Sequence, residues 1–444
     1  MHDDLRAAVD ALFPELQYQL ENLVRIPSVS APGFDAANVR ASAEATAGLL
    51  RDVGLDGVRL LEIDGAHPAV FGEVAGPAGA PTVLLYAHHD VQPPGPAGQW
   101  DTDPFRPVIR DGRMYGRGTS DDKSGVFVHL GALRAFAGSP PVAVKVFVEG
   151  EEEIGSLHLA GFLDAYRDLL AADVIVIADS SNLNAGHPCL TTSLRGLVDC
   201  YVEVSTLRAG VHSGEFGGAV PDALTTLIRA LATLHDDRGE VAVGGLTAGD
   251  YAGAGVSEAE LRERAGMLPG VGLIGTGHIT SRLWTKPALS VLAVDSPPVA
   301  EAINQLVPMA RAKVSMRLAP GQDTAAAMDA LVEHLRAAVP WGARVTVTPG
   351  TSGAAFALDT TAAAYDAWRE GFRAAWGTDT TEIGVGGSIP FVAAFNEAYP
   401  SASVLLTGVA DGRSRAHGPN ESLHLDDFRK GTFAEAVALR ILGG

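Results

Sequence analysis

Cysteine is nearly absent: Cys189 and Cys200 are the only two in 444 residues. They have no CxxC spacing, so neither a zinc-finger set nor a dithiol redox motif is available, and both are expected to be small buried hydrophobes. Basic residues are also scarce. Thirty-three Lys and Arg stand against 53 Asp and Glu, a formal charge of −20. Such a surface repels phosphate backbones and anionic headgroups, which argues against nucleic acid and membranes as partners. No apolar run reaches the roughly 18 residues that a spanning helix needs. The stretch Met1-His2-Asp3-Asp4-Leu5-Arg6 lacks a basic segment leading into an apolar one, so no secretory leader is expected and the cytoplasm is the expected compartment. No internal repeat or low-complexity tract is visible beyond general alanine richness.

The chain does have hydrophobic residues in quantity, 47%. Together with its length, this predicts a well-packed globular protein of two domains. Helical spacing is predicted over 3–25, 35–53, 124–137 and 157–168, with aliphatic strands near 58–63, 69–74, 81–85, 142–148 and 173–178. Strands alternating with helices imply a mostly parallel sheet. From about residue 193 the pattern changes to strand 198–205, helix 221–235, strand 289–295, a short helical piece near 299–306, strand 312–318, helix 323–338 and strand 344–348. That order reads as a two-layer α+β domain inserted into the first. The expected division is 1–192, 193–351 and 352–444, with α/β character returning in the last part as helix 360–376, strand 402–407 and helix 426–441.

Sites in open α/β sheets form beyond the carboxyl ends of the strands. Here three aliphatic runs end in His88, in Glu151-Glu152-Glu153 and in Asp179, and a fourth, 402–406, leads into a loop holding His417. Within Tyr86-Ala87-His88-His89-Asp90-Val91-Gln92-Pro93, extended backbone puts His88 and Asp90 on one side and turns His89 away. An imidazole beside a carboxylate is either a metal ligand with its orienting partner or a polar turn at a strand end.

The motifs, taken in order, resemble those of the M20 metallopeptidases, in the branch of dipeptidases and carnosinases. They are Ala87-His88-His89-Asp90-Val91-Gln92-Pro93, Gly116-Arg117-Gly118-Thr119-Ser120-Asp121-Asp122-Lys123, Glu152-Glu153-Ile154-Gly155-Ser156, Asp179, Val211-His212-Ser213-Gly214, Gly386-Gly387-Ser388-Ile389-Pro390 and Ala416-His417-Gly418-Pro419-Asn420-Glu421. The sequence departs from the pattern at Ala87, where glycine is common, and at His89, which fills a variable slot. Neither change removes a ligand. The resemblance implies a mostly parallel-sheet catalytic domain of the zinc-peptidase type, with an inserted α+β lid that dimerises.

It also implies two divalent ions per subunit. Asp121 bridges them, His88 and Asp179 complete one ligand set, and Glu153 and His417 complete the other. Mixed imidazole and carboxylate donors suit Zn²⁺, with Mn²⁺ or Co²⁺ as alternatives. Glu152 is the implied general base acting on a bridging hydroxide, with Glu151 a bystander, and Asp90 orients His88. The Asp121–Asp122 peptide matches one that is often cis in the family. His212 reaches across a homodimer to the oxyanion. Arg317 clamps the substrate carboxylate, with Asn304, Gly387 and Ser388 also at the substrate. His129, His158, His187 and His424 have no such support and are expected on the surface or in the core.

The expected activity is therefore hydrolysis of the amide bond of dipeptides or small peptides with a free C-terminal carboxylate. One alternative, an N-acyl amino acid amidohydrolase, shares the same site chemistry. Another, a non-catalytic binding protein on the same fold, predicts missing ligands, whereas all five are present.

Overall fold

In the computed structural model, which describes residues 2–251, 255–386 and 390–444, the aliphatic run after Pro81 forms the strand Thr82–His88, buried from Val83 onward. It lies between parallel neighbours, Ala143–Glu149 and Val174–Ile177, and Ser403–Leu406 runs parallel beyond the latter. A strand covered on both faces has no polar alternation, which is why these segments read as unbroken Val, Ile and Leu. The outer pairings reverse direction. Ala69–Val74 is antiparallel to Ala143–Glu149, Asp56–Leu61 is antiparallel to Ala69–Val74, and Leu406 pairs antiparallel with Thr191.

Helices cover this sheet. Asp3–Val24 buries Leu5, Val9, Leu16 and Leu20, and Lys123–Arg134 is buried over every residue but its last. Asp122 caps the second of these by accepting from Gly125 N at 3.1 Å, worth about 1 kcal/mol. Gly131 sits where the helices come closest: a Cβ there would lie 2.5 Å from Thr432 Cγ2 and 2.7 Å from Leu16 Cδ1. The mid-helix glycine costs about 1 kcal/mol of propensity and permits that approach. One continuous core joins Val83, Leu85 and Ala87 to Val126, Leu130 and Val437.

The chain divides into two compact units, Met1–Thr192 with Leu358–Ile383 and Pro390–Gly444, and Ser193–Ala357 with Gly384–Ile389. The return to the first unit thus falls six residues later than the expected 351/352 boundary. The reason is that the last lid strand extends as Arg344–Gly353, and Phe356–Ala357 then pairs with Leu194 and Ser193. The second unit is built on an antiparallel sheet in the order Ala288–Asp295, Met309–Leu318, Gly196–Ser205, Arg344–Gly353. Its apolar face (Val198, Cys200, Val202, Val314, Met316) packs on Leu227, Leu331 and Leu335 from helices Ala223–Ala232 and Thr324–Ala338. The other face is polar, with Lys313 Nζ 3.3 Å from Asp199 Oδ2. The expected helical piece near 299–306 is only a turn at Val299–Glu301. Gln305–Leu306 then extends to pair with Val211–His212.

Cys189 and Cys200 are buried free thiols, and burial pushes both up to about 11. Among the described residues, no helix is long and apolar enough to cross a membrane.

Candidate metal centre

His88 is the last residue of its strand and is fully buried. Its Nε2 faces three carboxylates: Asp121 Oδ1 at 3.1 Å, Asp179 Oδ2 at 3.8 Å and Glu152 Oε2 at 3.9 Å. Its Nδ1 lies 3.1 Å from the main-chain oxygen of Asp90 and 3.4 Å from the Asp90 carboxylate. The carbonyl is the nearer acceptor, and the carboxylate expected from sequence stands beside it and holds the ring as well. That contact places the Nδ1 proton and leaves Nε2 as the ligand atom.

The Asp90 carboxylate has further partners. It accepts from Ser30 Oγ at 2.6 Å, Glu152 N at 3.2 Å and Glu153 N at 3.1 Å, so it pins the turn that carries both glutamates. His89 points elsewhere, its Nε2 at 3.0 Å from Pro68 O, and burial lowers its pKa to about 4.

Asp121 faces two imidazoles with two different oxygens. Oδ1 meets His88, and Oδ2 meets His417 Nε2 at 3.0 Å. The Asp121–Asp122 peptide is cis. His417 Nε2 also lies 3.2 Å from Glu153 Oε2. Glu153 Oε1 accepts from Gln92 N, which leaves its buried Oε2 to face His417. Glu151 turns away from the cluster and accepts from His67 N at 2.9 Å and His158 Nδ1 at 2.8 Å. His129 is a core residue between Glu435 and Tyr86 O, and His424 caps the helix Leu425–Leu442.

Two groups of donor atoms result, His88 with Glu152 and Asp179, and His88 with Asp121 and Glu153, each set lying within 4.8 Å of one another. The electrostatics show what the cluster needs. Burial, opposed by His88 and reinforced by Glu153 and Asp121, pushes Glu152 up to about 8. Burial likewise raises Asp179 well above the carboxylate range. His417 is held up at about 10 by Asp121 and Glu153. His88 also lies well above its usual value, because its bonds to Asp121 and Asp90 outweigh its burial. Carboxylates this close need positive charge between them, and His88 and His417 stand where that charge is needed. The buried Glu153 Oε2 turned to His417, the divided Asp121 carboxylate and the mixed N and O donors fit divalent cations.

The sequence profile described as peptidase family M20/M25/M40 matches residues 84–439, most of the chain. The chain belongs to that family. This M20 peptidase is 37% identical over 402 residues to the cysteinylglycine-S-conjugate dipeptidase of Corynebacterium striatum, covering 89% of this chain and 88% of that protein. It is 29% identical over 387 residues to the human Beta-Ala-His dipeptidase, covering 82% and 75% of the two chains. Its fold superposes on the solved dipeptidase Dug1p of Saccharomyces cerevisiae with a TM-score of 0.80, at 25% identity and 99% and 98% coverage.

The remaining expected residues of the M20 peptidase lie in its second unit. His212 is exposed and its Nδ1 accepts from Gly214 N at 3.1 Å, so Nε2 carries the proton and is a donor. Asn304 is adjacent, its carbonyl accepting from Ser213 N at 3.1 Å. Arg317 is on the polar face of the sheet strand Met309–Leu318, and burial lowers its pKa. Gly387 and Ser388 lie outside the described residues.

One buried carboxylate had no assigned role from sequence. Glu421 accepts from Arg117 Nη1 (2.7 Å), Gly118 N (3.1 Å), Ser120 N (2.9 Å), Ser120 Oγ (3.1 Å) and Asp121 N (3.2 Å). Four residues after His417, it locks the Asp121 loop to the His417 loop. The available signal was its place at the end of the His417 motif. Replacing Glu421 with alanine leaves Arg117 buried and unpaired. It is expected to cost about 3–5 kcal/mol in denaturant unfolding of the metal-free protein and to weaken metal binding about 10–100-fold in a competition titration.

Proposed function

We propose that this M20 peptidase is a dipeptidase, hydrolysing the amide bond of small peptides that end in a free carboxylate. The observation that carries the reading is the Asp121 carboxylate shared between His88 and His417, with the Glu152 carboxylate 3.9 Å from the same His88 nitrogen. The dipeptidase activities of its relatives narrow the substrate class. In this reading His88, Asp121 and Asp179 hold one divalent ion and Asp121, Glu153 and His417 the other, with Zn²⁺ as the first choice and Mn²⁺ or Co²⁺ as alternatives. When bound, the ions polarise the scissile carbonyl and lower the pKa of water.

The chain supplies the rest. Glu152 removes a proton from the attacking water and returns it to the leaving amine as the C–N bond breaks. Asp90 fixes both the Glu152–Glu153 turn and the His88 ring. His212 of the partner subunit donates its Nε2 proton to the oxyanion. Arg317 pairs with the C-terminal carboxylate, and Asn304 also meets the substrate.

A homodimer is part of the proposal, and so is a cytoplasmic location. The edge strand Ala288–Asp295 supports the former, because it leaves Val291, Leu292 and Val294 exposed at 42%, 58% and 45%. The opposite edge, Arg344–Gly353, is mostly Thr, Ser, Pro and Gly. An apolar open edge invites a second strand. Sedimentation should show a dimer, and Leu292→Lys with Val294→Lys a monomer with much reduced kcat. A fully active monomer would refute the role in trans of His212.

The deciding experiment for the activity is a panel of Xaa-Xaa dipeptides against N-acetyl and N-succinyl amino acids, with Zn²⁺ or Mn²⁺ added. Turnover of dipeptides is expected. Turnover of the acyl amino acids alone would assign the chain to amidohydrolases instead.

A further inference from the structure

Arg195 is 7% exposed and stands just before the strand Gly196–Ser205. Its guanidinium is anchored on one side only. Nη1 donates to the carbonyls of Arg282 and Lys286, each at 3.2 Å. On the other side, buried Nε has no hydrogen-bond partner among the described residues. Among the described residues no acceptor faces Nη2 either, and no carboxylate pairs with the group. An unsatisfied buried donor costs about 1–3 kcal/mol, and more on a charged group.

Among the described residues, it is a glycine that borders that edge. A Cβ built on Gly386 would lie 3.2 Å from Nη2 and 3.8 Å from Nε, so any larger residue would crowd the fork. Arg317 lies on the same face, since it pairs opposite Leu197, two residues along from Arg195. Burial and the nearby Arg317 cation together bring Arg195 down to about 10. Burial alone lowers Arg317, and no carboxylate contributes there. Two half-desolvated cations facing one side without a counter-charge form a receptor for an anion. The Nε–Nη2 edge presents two parallel N–H donors, a geometry that matches a carboxylate bidentately.

We propose that Arg195, framed by Gly386, is a second guanidinium of the carboxylate receptor and binds a carboxylate of the substrate's C-terminal residue together with Arg317. This rests on the dipeptidase reading for the identity of the ligand. Two sources offer the same chemistry, the terminal carboxylate and an acidic side chain on that residue.

The test uses the metal-loaded protein with Gly-Ala, Gly-Ala amide and Gly-Glu as substrates, and alanine and alaninamide as calorimetric ligands. Arg195→Gln is expected to raise KM for Gly-Ala about 10-fold or more, with kcat changed less than about threefold, and to weaken alanine binding similarly. Gly-Ala amide and alaninamide should not respond. Because Arg195 also ties down two carbonyls, Gly386→Ala serves as a second variant that leaves those bonds intact and should give the same pattern. A rise confined to Gly-Glu would assign the fork to the side-chain carboxylate. Equal effects on acid and amide, or no effect in either variant, would overturn the proposal. If no dipeptide is cleaved but alanine binding still depends on Arg195, the dipeptidase reading fails and the receptor stands.

Discussion

Replacing Glu152 with alanine should lower kcat by about 10³–10⁴-fold, near the upper range for loss of a general acid–base group, because one carboxylate both takes and returns the proton. Metal content should be unchanged. Glu153 and Asp179 remain, and the turn itself is held by main-chain bonds from Glu152 N and Glu153 N to Asp90. The control is Glu151→Ala, which removes the acceptor for His67 N and His158. That change should lower the melting temperature with little effect on kcat. Atomic absorption beside a kinetic assay separates the outcomes. If Glu151→Ala abolishes turnover and Glu152→Ala does not, the roles within the triplet are displaced by one residue. If both ions leave with Glu152, the residue is a ligand and not a base.

Asp121→Ala should have the opposite signature, with metal and activity lost together. A carboxylate that divides its oxygens between His88 and His417 serves both positions, so its removal takes a donor from each at once. Affinity for both ions should fall by more than the roughly 10–100-fold typical of a supporting residue. A competition titration with a chromogenic chelator reads this without any need for turnover. Asp121→Asn keeps the shape but loses the charge and should lie between. Retention of both ions in Asp121→Ala would refute its bridging role.

The centre of the sheet was legible because buried parallel strands cannot alternate, so each appeared as an aliphatic run that stops at a chemical group. Local spacing likewise separated His88 from His89, since the period of two is fixed by the backbone. Contacts distant in sequence were not legible. Nothing in the run around Asp90 announces that its oxygens hold amides 62 and 63 residues away. Arg195 reads as an ordinary residue before a glycine, because its meaning depends on Gly386 and on the carbonyls of Arg282 and Lys286. The boundary near 351 was misplaced because Thr, Pro, Gly and Ser in 348–353 look like a loop, whereas the sheet partner Gly196–Ser205 keeps that segment extended. The segment 299–306 has apolar residues at helical spacing, yet pairing with Val211–His212 draws its end into a strand.

The two imidazoles of the centre differ in access. The His88 side chain is 0% exposed and that of His417 is 59% exposed. Ligand exchange needs an approaching molecule, so the His417 corner is the one through which a chelator or a competing ion enters. Stripping should therefore be biphasic, with one ion leaving quickly and the other held behind the sheet end.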